Sequence, residues 1–155
     1  MNIKYMIKLK ENGNLHGKEW SKNKPMSIFE VEQLEKKYNH GKKIPKAFRE
    51  YLLLAGLGSA IGVVDHDFDE LHTDCKEDME YCGYTIERPY FVFDNYSSQY
   101  SIFYLDDTRE DPKIYILDPF GKIEGEEPLV RENLQGTFTT LINEAIYRIK
   151  NDILF

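Results

Sequence analysis

The residues best suited by type to do chemistry lie in one stretch, DHDFDELHTDCKEDMEYC, residues 65–82. Asp65, Asp67 and Asp69 fall on positions 1, 3 and 5 of a calcium-binding loop. Position 6 of that frame is Glu70, where the sharp turn needs glycine, and position 12 is Lys76, where a bidentate glutamate belongs. Calcium is excluded on that pattern. His66, His72, Cys75 and Cys82 offer four zinc-type donors, yet their H-x5-H-x2-C-x6-C spacing fits no standard structural site. A metal-dependent enzyme built on these four side chains ranks last among the readings of this chain.

Charge is the stronger signal in the same stretch. Residues 65–80 carry eight acids (Asp65, Asp67, Asp69, Glu70, Asp74, Glu77, Asp78, Glu80) against Lys76, a net of −7 that equals the charge of the whole chain. Residues 1–50 are net +6 and the remainder net −13. A concentrated negative surface speeds encounter with a basic partner, although a solvated helix or loop face has the same composition. The acidic majority argues against nucleic-acid binding, which needs a basic footprint.

Other catalytic patterns fail on spacing. Gly56, Gly58 and Gly62 read G-x-G-x-x-x-G and follow a helical run. A dinucleotide fingerprint is G-x-G-x-x-G after a strand, with the phosphates at a helix N-terminus. Gly58-Ser59-Ala60-Ile61-Gly62 is not the G-x-S-x-G nucleophile elbow. Ser97 and Ser98 have no histidine nearby in sequence, and Asp106/Asp107 is uninformative about acid–base work in a chain with 27 acids. This reading assigns no catalytic residue, no cofactor and no metal.

The elements that must position these residues follow from periodicity. At 155 residues, 41% hydrophobic and 14% aromatic, the chain fits one folded domain. It has two cysteines, hence no disulfide framework, and no apolar run of membrane-spanning length. MNIKYMIKLKENGN lacks an apolar signal region, so a soluble cytoplasmic protein is expected. Residues 1–25 read as an N-terminal arm or weak hairpin, and 26–155 as a single domain.

Ser27-x-x-Glu30 is a capping box, with Met26 and Val31 as its hydrophobic staple. Ile28, Val31, Leu34 and Tyr38 form the apolar stripe of the helix that follows, with Glu35 outside it. Pro45 at the first helical position opens a second helix, with Phe48, Tyr51, Leu52 and Ala55 on its buried side. Gly56 falls where a left-handed glycine would stop that helix. Residues 89–96, 100–107 and 113–118 read as three antiparallel strands, residues 58–64 as a further short one, and PFG (119–121) as a turn. Phe138, Leu141, Ile142, Ala145, Ile149 and Ile153 mark a final helix capped by Thr137. Helices, then a run of strands, then a helix is an α+β order, with helices packed on an antiparallel sheet.

IPKAFREYLLLAG resembles the helix signature of the SMI1/KNR4 (SUKH) superfamily, the matching positions being Ile44, Pro45, Phe48, Tyr51, Leu52 and Gly56. SIFEVEQLEKKYN before it, the strands YFVFDNY, YSIFYLDD and IYILD, and TFTTLINEAI after them follow the same layout, over roughly residues 26–150. The chain departs in having AGLGSAIG where many members have Asn-Gly, and in its acidic segment 65–82.

The resemblance implies a SUKH-like α+β fold. For bacterial members it also implies an immunity protein: a non-enzymatic cytoplasmic inhibitor that binds one cognate polymorphic or contact-dependent toxin, often a nuclease. A nuclease carries cations to bind phosphates, so an acidic inhibitor can occupy that surface. On this reading Asp65, Asp67, Asp69 and Glu70 lead the partner contacts, with Asp74, Glu77 and Asp78 in the same segment and Asp106 and Asp107 second. Strand tyrosines would add aromatic anchors. A regulatory or scaffold interaction domain of the same family is the alternative.

Overall fold

A capping box sets the first long helix. The computed structural model describes residues 2–123 and 128–153. Ahead of that helix come α1 (Ile7–Glu11) and a 3₁₀ turn at Glu19–Ser21. Helix α2 (Ile28–Asn39) starts at the expected capping box: the Glu30 amide donates to Ser27 Oγ and the Ser27 amide to Glu30 Oε2 at 2.7 Å. It ends at His40 and Gly41, both left-handed. Met26 and Val31 are buried, as a staple requires, but Ile28 projects from the first turn and is 61% exposed. Glu35, expected outside the stripe, is buried instead, where Arg49 Nε and Lys43 Nζ each donate to it at 3.0 Å.

Helix α3 (Lys46–Ala55) is the centre of the core. Pro45, expected at the first helical position, is instead the N-cap, and the helix begins one residue later at Lys46. Phe48 meets Phe68, Phe91, Phe93, Phe103 and Phe138 at ring-centroid distances between 5.1 and 6.3 Å. Ile44, Phe48, Tyr51 and Leu52 are buried. Gly56 matters for a reason other than the expected one. Its φ is −64°, an ordinary helical value. A Cβ there would lie 2.7 Å from the Leu52 carbonyl oxygen and 2.8 Å from Met26 Cγ. The glycine lets the α2 staple close onto the end of α3.

Helix α4 (Phe68–Cys82) follows, then β1 (Tyr90–Tyr96), β2 (Gln99–Tyr104), β3 (Lys113–Leu117), the short α5 (Pro119–Ile123), β4 (Val130–Thr137) and α6 (Phe138–Lys150). The four strands form one antiparallel sheet in the order β1-β2-β3-β4. Ser97 and Ser98, both at positive φ, make the β1–β2 turn, which matches the right-handed twist of a hairpin. One face of the sheet, with Phe91, Phe93, Phe103 and Ile114, packs against α3 and against Phe138, Ile142, Ala145 and Ile146 of α6. The other face, with Val92, Tyr100, Ile102 and Leu117, packs against Leu71, Cys75 and Met79 of α4. This is the α+β architecture the order of elements implied.

Five further expectations are corrected. Residues 58–64 form no strand; Ile61 and Val64 are buried within turns. The turn at 119–121 is the start of α5, and β4 is a fourth strand. Residues 1–25 include α1, whose Leu9, with the preceding Met6, is buried in the main core, while an Asn14↔Lys22 bridge closes the loop behind it. Ile153 lies beyond the end of α6. No helix among the described residues is long and apolar enough to cross a membrane.

Candidate interaction surface

The acidic segment is a helix with two different sides. Phe68, Leu71, Cys75, Met79 and Cys82 recur at helical spacing and are buried. The acids fill the rest of the circumference. Asp65 prepares the entry: its carboxylate accepts from the amides of His66 and Asp67 at 2.5 and 3.0 Å. Asp67 is the N-cap of α4 and accepts from the Glu70 amide at 3.0 Å. Gly83, at φ 74°, ends the helix in the left-handed region.

Most of the nominated acids have work inside the molecule. Asp69 pairs with Lys37 of α2 at 2.7 Å and accepts from the Tyr38 hydroxyl; these two donors hold its carboxyl below the usual range. Asp78 accepts from the buried Tyr100 hydroxyl at 2.5 Å. Asp106 and Asp107 stand apart from α4, in the β2–β3 connection. Asp106 takes Arg88 Nε at 2.7 and 2.9 Å, with the Arg88 guanidinium lying over Tyr104. Asp107 accepts from the Arg109 amide at 3.1 Å.

Glu70, Asp74 and Glu77 differ. All three are exposed, and among the described residues none has an ion pair or accepts a hydrogen bond. Their spacing of four and three residues places them on one stripe of α4. Four residues on, the stripe reaches Tyr81, which is 81% exposed, with its ring 6.1 Å from Phe120 of α5. Like charges at this spacing cost about 0.2–0.5 kcal/mol per pair, a cost that a cationic partner would remove. An open groove of about 410 Å3 runs beside the stripe, between α2 and α4, with Lys37, Tyr38, Thr73, Lys76 and Glu77 in its walls.

Tyr81 was missed in the sequence because the aromatic anchors were sought in the tyrosines of the strands. Tyr100 is buried, and Tyr90, Tyr104 and Tyr115 pack against the second core. Tyr81 on α4 and Tyr96 at the hairpin tip are both exposed.

Two of the four metal donors, His72 and Cys75, are occupied otherwise. His72 Nδ1 lies 2.7 Å from the Phe68 carbonyl and Nε2 lies 3.1 Å from the Val92 amide. That pair of partners selects the neutral ring with its proton on Nδ1, and burial lowers its pKa in agreement. His72 therefore caps the outer edge of β1. Its position four residues from Phe68, on the apolar side of the helix, was the available signal. Burial pushes the Cys75 thiol up to about 12, which makes it inert. No group of three potential ligands comes together among the described residues.

No family model, curated protein or solved structure matched the chain in comparisons with known proteins.

Proposed function

We propose that this chain is an immunity-type inhibitor, which binds a cationic protein toxin in the cytoplasm and covers its active or substrate-binding surface. One observation carries the reading: three uncompensated carboxylates in line on α4, ending at an exposed tyrosine. Such a stripe costs the free protein some helix stability and supplies charge steering with an aromatic anchor at its end. The order of motifs shared with the SUKH superfamily supports the same reading, with the family motif serving as core. In this role the protein binds and occludes; it has no catalytic step.

The test is co-expression with the product of the neighbouring reading frame, followed by binding measurements on the purified pair. The wild-type chain restores growth, and the triple variant E70K/D74K/E77K weakens binding by tenfold or more and flattens its salt dependence. Unchanged affinity and salt slope would remove α4 from the interface. A scaffold or regulatory role is favoured by a different observation, the exposed Ile28, Phe29 and Leu57 around the start of α2. Binding that is insensitive to salt and lost in Phe29→Ser would select it.

A further inference from the structure

One carboxyl is held where little compensates its charge. Asp94 sits at the β1 bulge, where pairing with β2 shifts between Val92 and Asp94. It is half-buried, with the Asn95 amide as its stabilising contact, and among the described residues it has no ion pair. The ionisable groups around it are Asp65 ahead of α4, the Tyr51 hydroxyl of α3 and, on the outer edge of β1, His72 of α4. From β2 the neutral Ser101 lies opposite.

The segment carrying Asp65 is fastened to the same bulge. The Asp65 amide donates to the Phe93 carbonyl at 2.9 Å, while its carboxylate organises the turn into α4. Asp65 is thus drawn to the bulge by its backbone and repelled from it by its side chain. The attraction is independent of pH, whereas the repulsion exists only while Asp94 is charged.

The geometry points to a proton-controlled latch: protonation of Asp94 tightens the 65–67 turn onto the β1 bulge, and ionisation loosens it. Burial, reinforced by Asp65, moves the Asp94 carboxyl up to about 6, so the latch responds within the physiological range. Asp67 caps α4, so the latch sets how firmly the acidic helix begins. It is a property of the free chain and stands whether or not the partner is a toxin.

Amide exchange followed by NMR between about pH 7.5 and 5.5 tests it. After correction for intrinsic exchange, protection of the Asp65 amide rises several-fold in the wild-type chain as pH falls. In D94N it is high and flat. In D65N, whose side chain still accepts the two turn amides, the Asp94 carboxyl resonance titrates at a lower pH than in the wild type. A flat wild-type profile overturns the latch, and so does a rise that persists in D94N; His72, whose charging as pH falls removes the acceptor of the Val92 amide, could only lower protection. Should D94N fail to fold, D65N decides alone: an unmoved Asp94 midpoint together with an unchanged pH slope overturns the proposal.

Discussion

Helices α3 and α4 are both amphipathic and both pack on the same sheet, but they use their acids in opposite ways. Glu50 of α3 is 3% exposed and accepts three backbone amides, from Lys4, Tyr5 and Met6, at 3.0, 2.7 and 3.1 Å. It ties the chain ahead of α1 to the central helix. Arg49 beside it is taken up by the buried Glu35 of α2. The two charges on the inner side of α3, Arg49 and Glu50, are both matched within the molecule. On α4, the acids that face inward or cap the helix are matched in the same manner, and Glu70, Asp74 and Glu77 are not. Burial with several donors makes a carboxylate part of the fold, and exposure without a donor leaves it available to something else.

The contrast can be broken first at Glu50. Glu50→Ala strands three backbone amides, that of Met6 buried and those of Lys4 and Tyr5 partly buried; at about 1–3 kcal/mol for a buried amide and less for the other two, the urea midpoint falls by an amount equivalent to about 3 kcal/mol. A loss below about 1 kcal/mol would mean water replaces the carboxylate and α3 is less closed than described.

Next is Asp94→Asn. The folded chain binds a proton at Asp94 near pH 6, whereas the unfolded chain does so near its ordinary value of 3.8. The stability linked to this group is fully present below that lower value and is lost as pH rises through about 6. His72, lowered by burial, acts in the opposite sense, losing stability as pH falls below its ordinary 6.5. The difference between D94N and wild type isolates Asp94: the variant gains on the order of 2 kcal/mol at pH 7.5, shrinking towards zero near pH 4. A constant difference across that range would refute the assignment.

Gly56→Ala comes third. The added methyl meets the Leu52 carbonyl and Met26, and overpacking of this kind costs about 1–3 kcal/mol. In a Met26→Ala background the same glycine substitution costs less if the staple is the obstacle.

The smallest effect is on α4 itself. D74N removes both like-charge pairs of the stripe while leaving Glu70 at the helix N-terminus that favours it, and raises stability by roughly 0.4–1 kcal/mol, read as a small increase in Tm that fades at high salt. A destabilised variant would show that the stripe has partners inside the fold and would end the contrast with α3.

Much of this was legible before any coordinates, and the rest was hidden for identifiable reasons. Ser27 and Glu30 announce a cap through their own side chains, and Phe48, Tyr51 and Leu52 announce a buried face through spacing, so α2 and α3 were readable. Helix α4 was hidden by its charge, although Phe68, Leu71, Cys75, Met79 and Cys82 already held helical spacing. Strand β4 reads VRENLQGT because it is an edge whose register slips against β3 between Lys113 and Tyr115, which removes the alternation a strand would show. The apolar run 58–64 misled in the other direction, since Ile61 and Val64 are buried from turns. Within the candidate surface, the acids were found by composition. Which of them are bare depended on Lys37, Tyr100 and Arg88, residues remote in sequence from the acids they satisfy.

The ring of His72 has one more consequence. A strand at the margin of a sheet is a template on which a second chain can add, and folded proteins must block it. Here part of the blockade is a lone pair on Nε2, held against the Val92 amide. A proton on that nitrogen removes the acceptor and strands the amide of Val92, which is buried beneath α4. Charging the imidazole therefore works against the seating of α4 on β1, and only where α4 lifts would the strand edge open to a second chain.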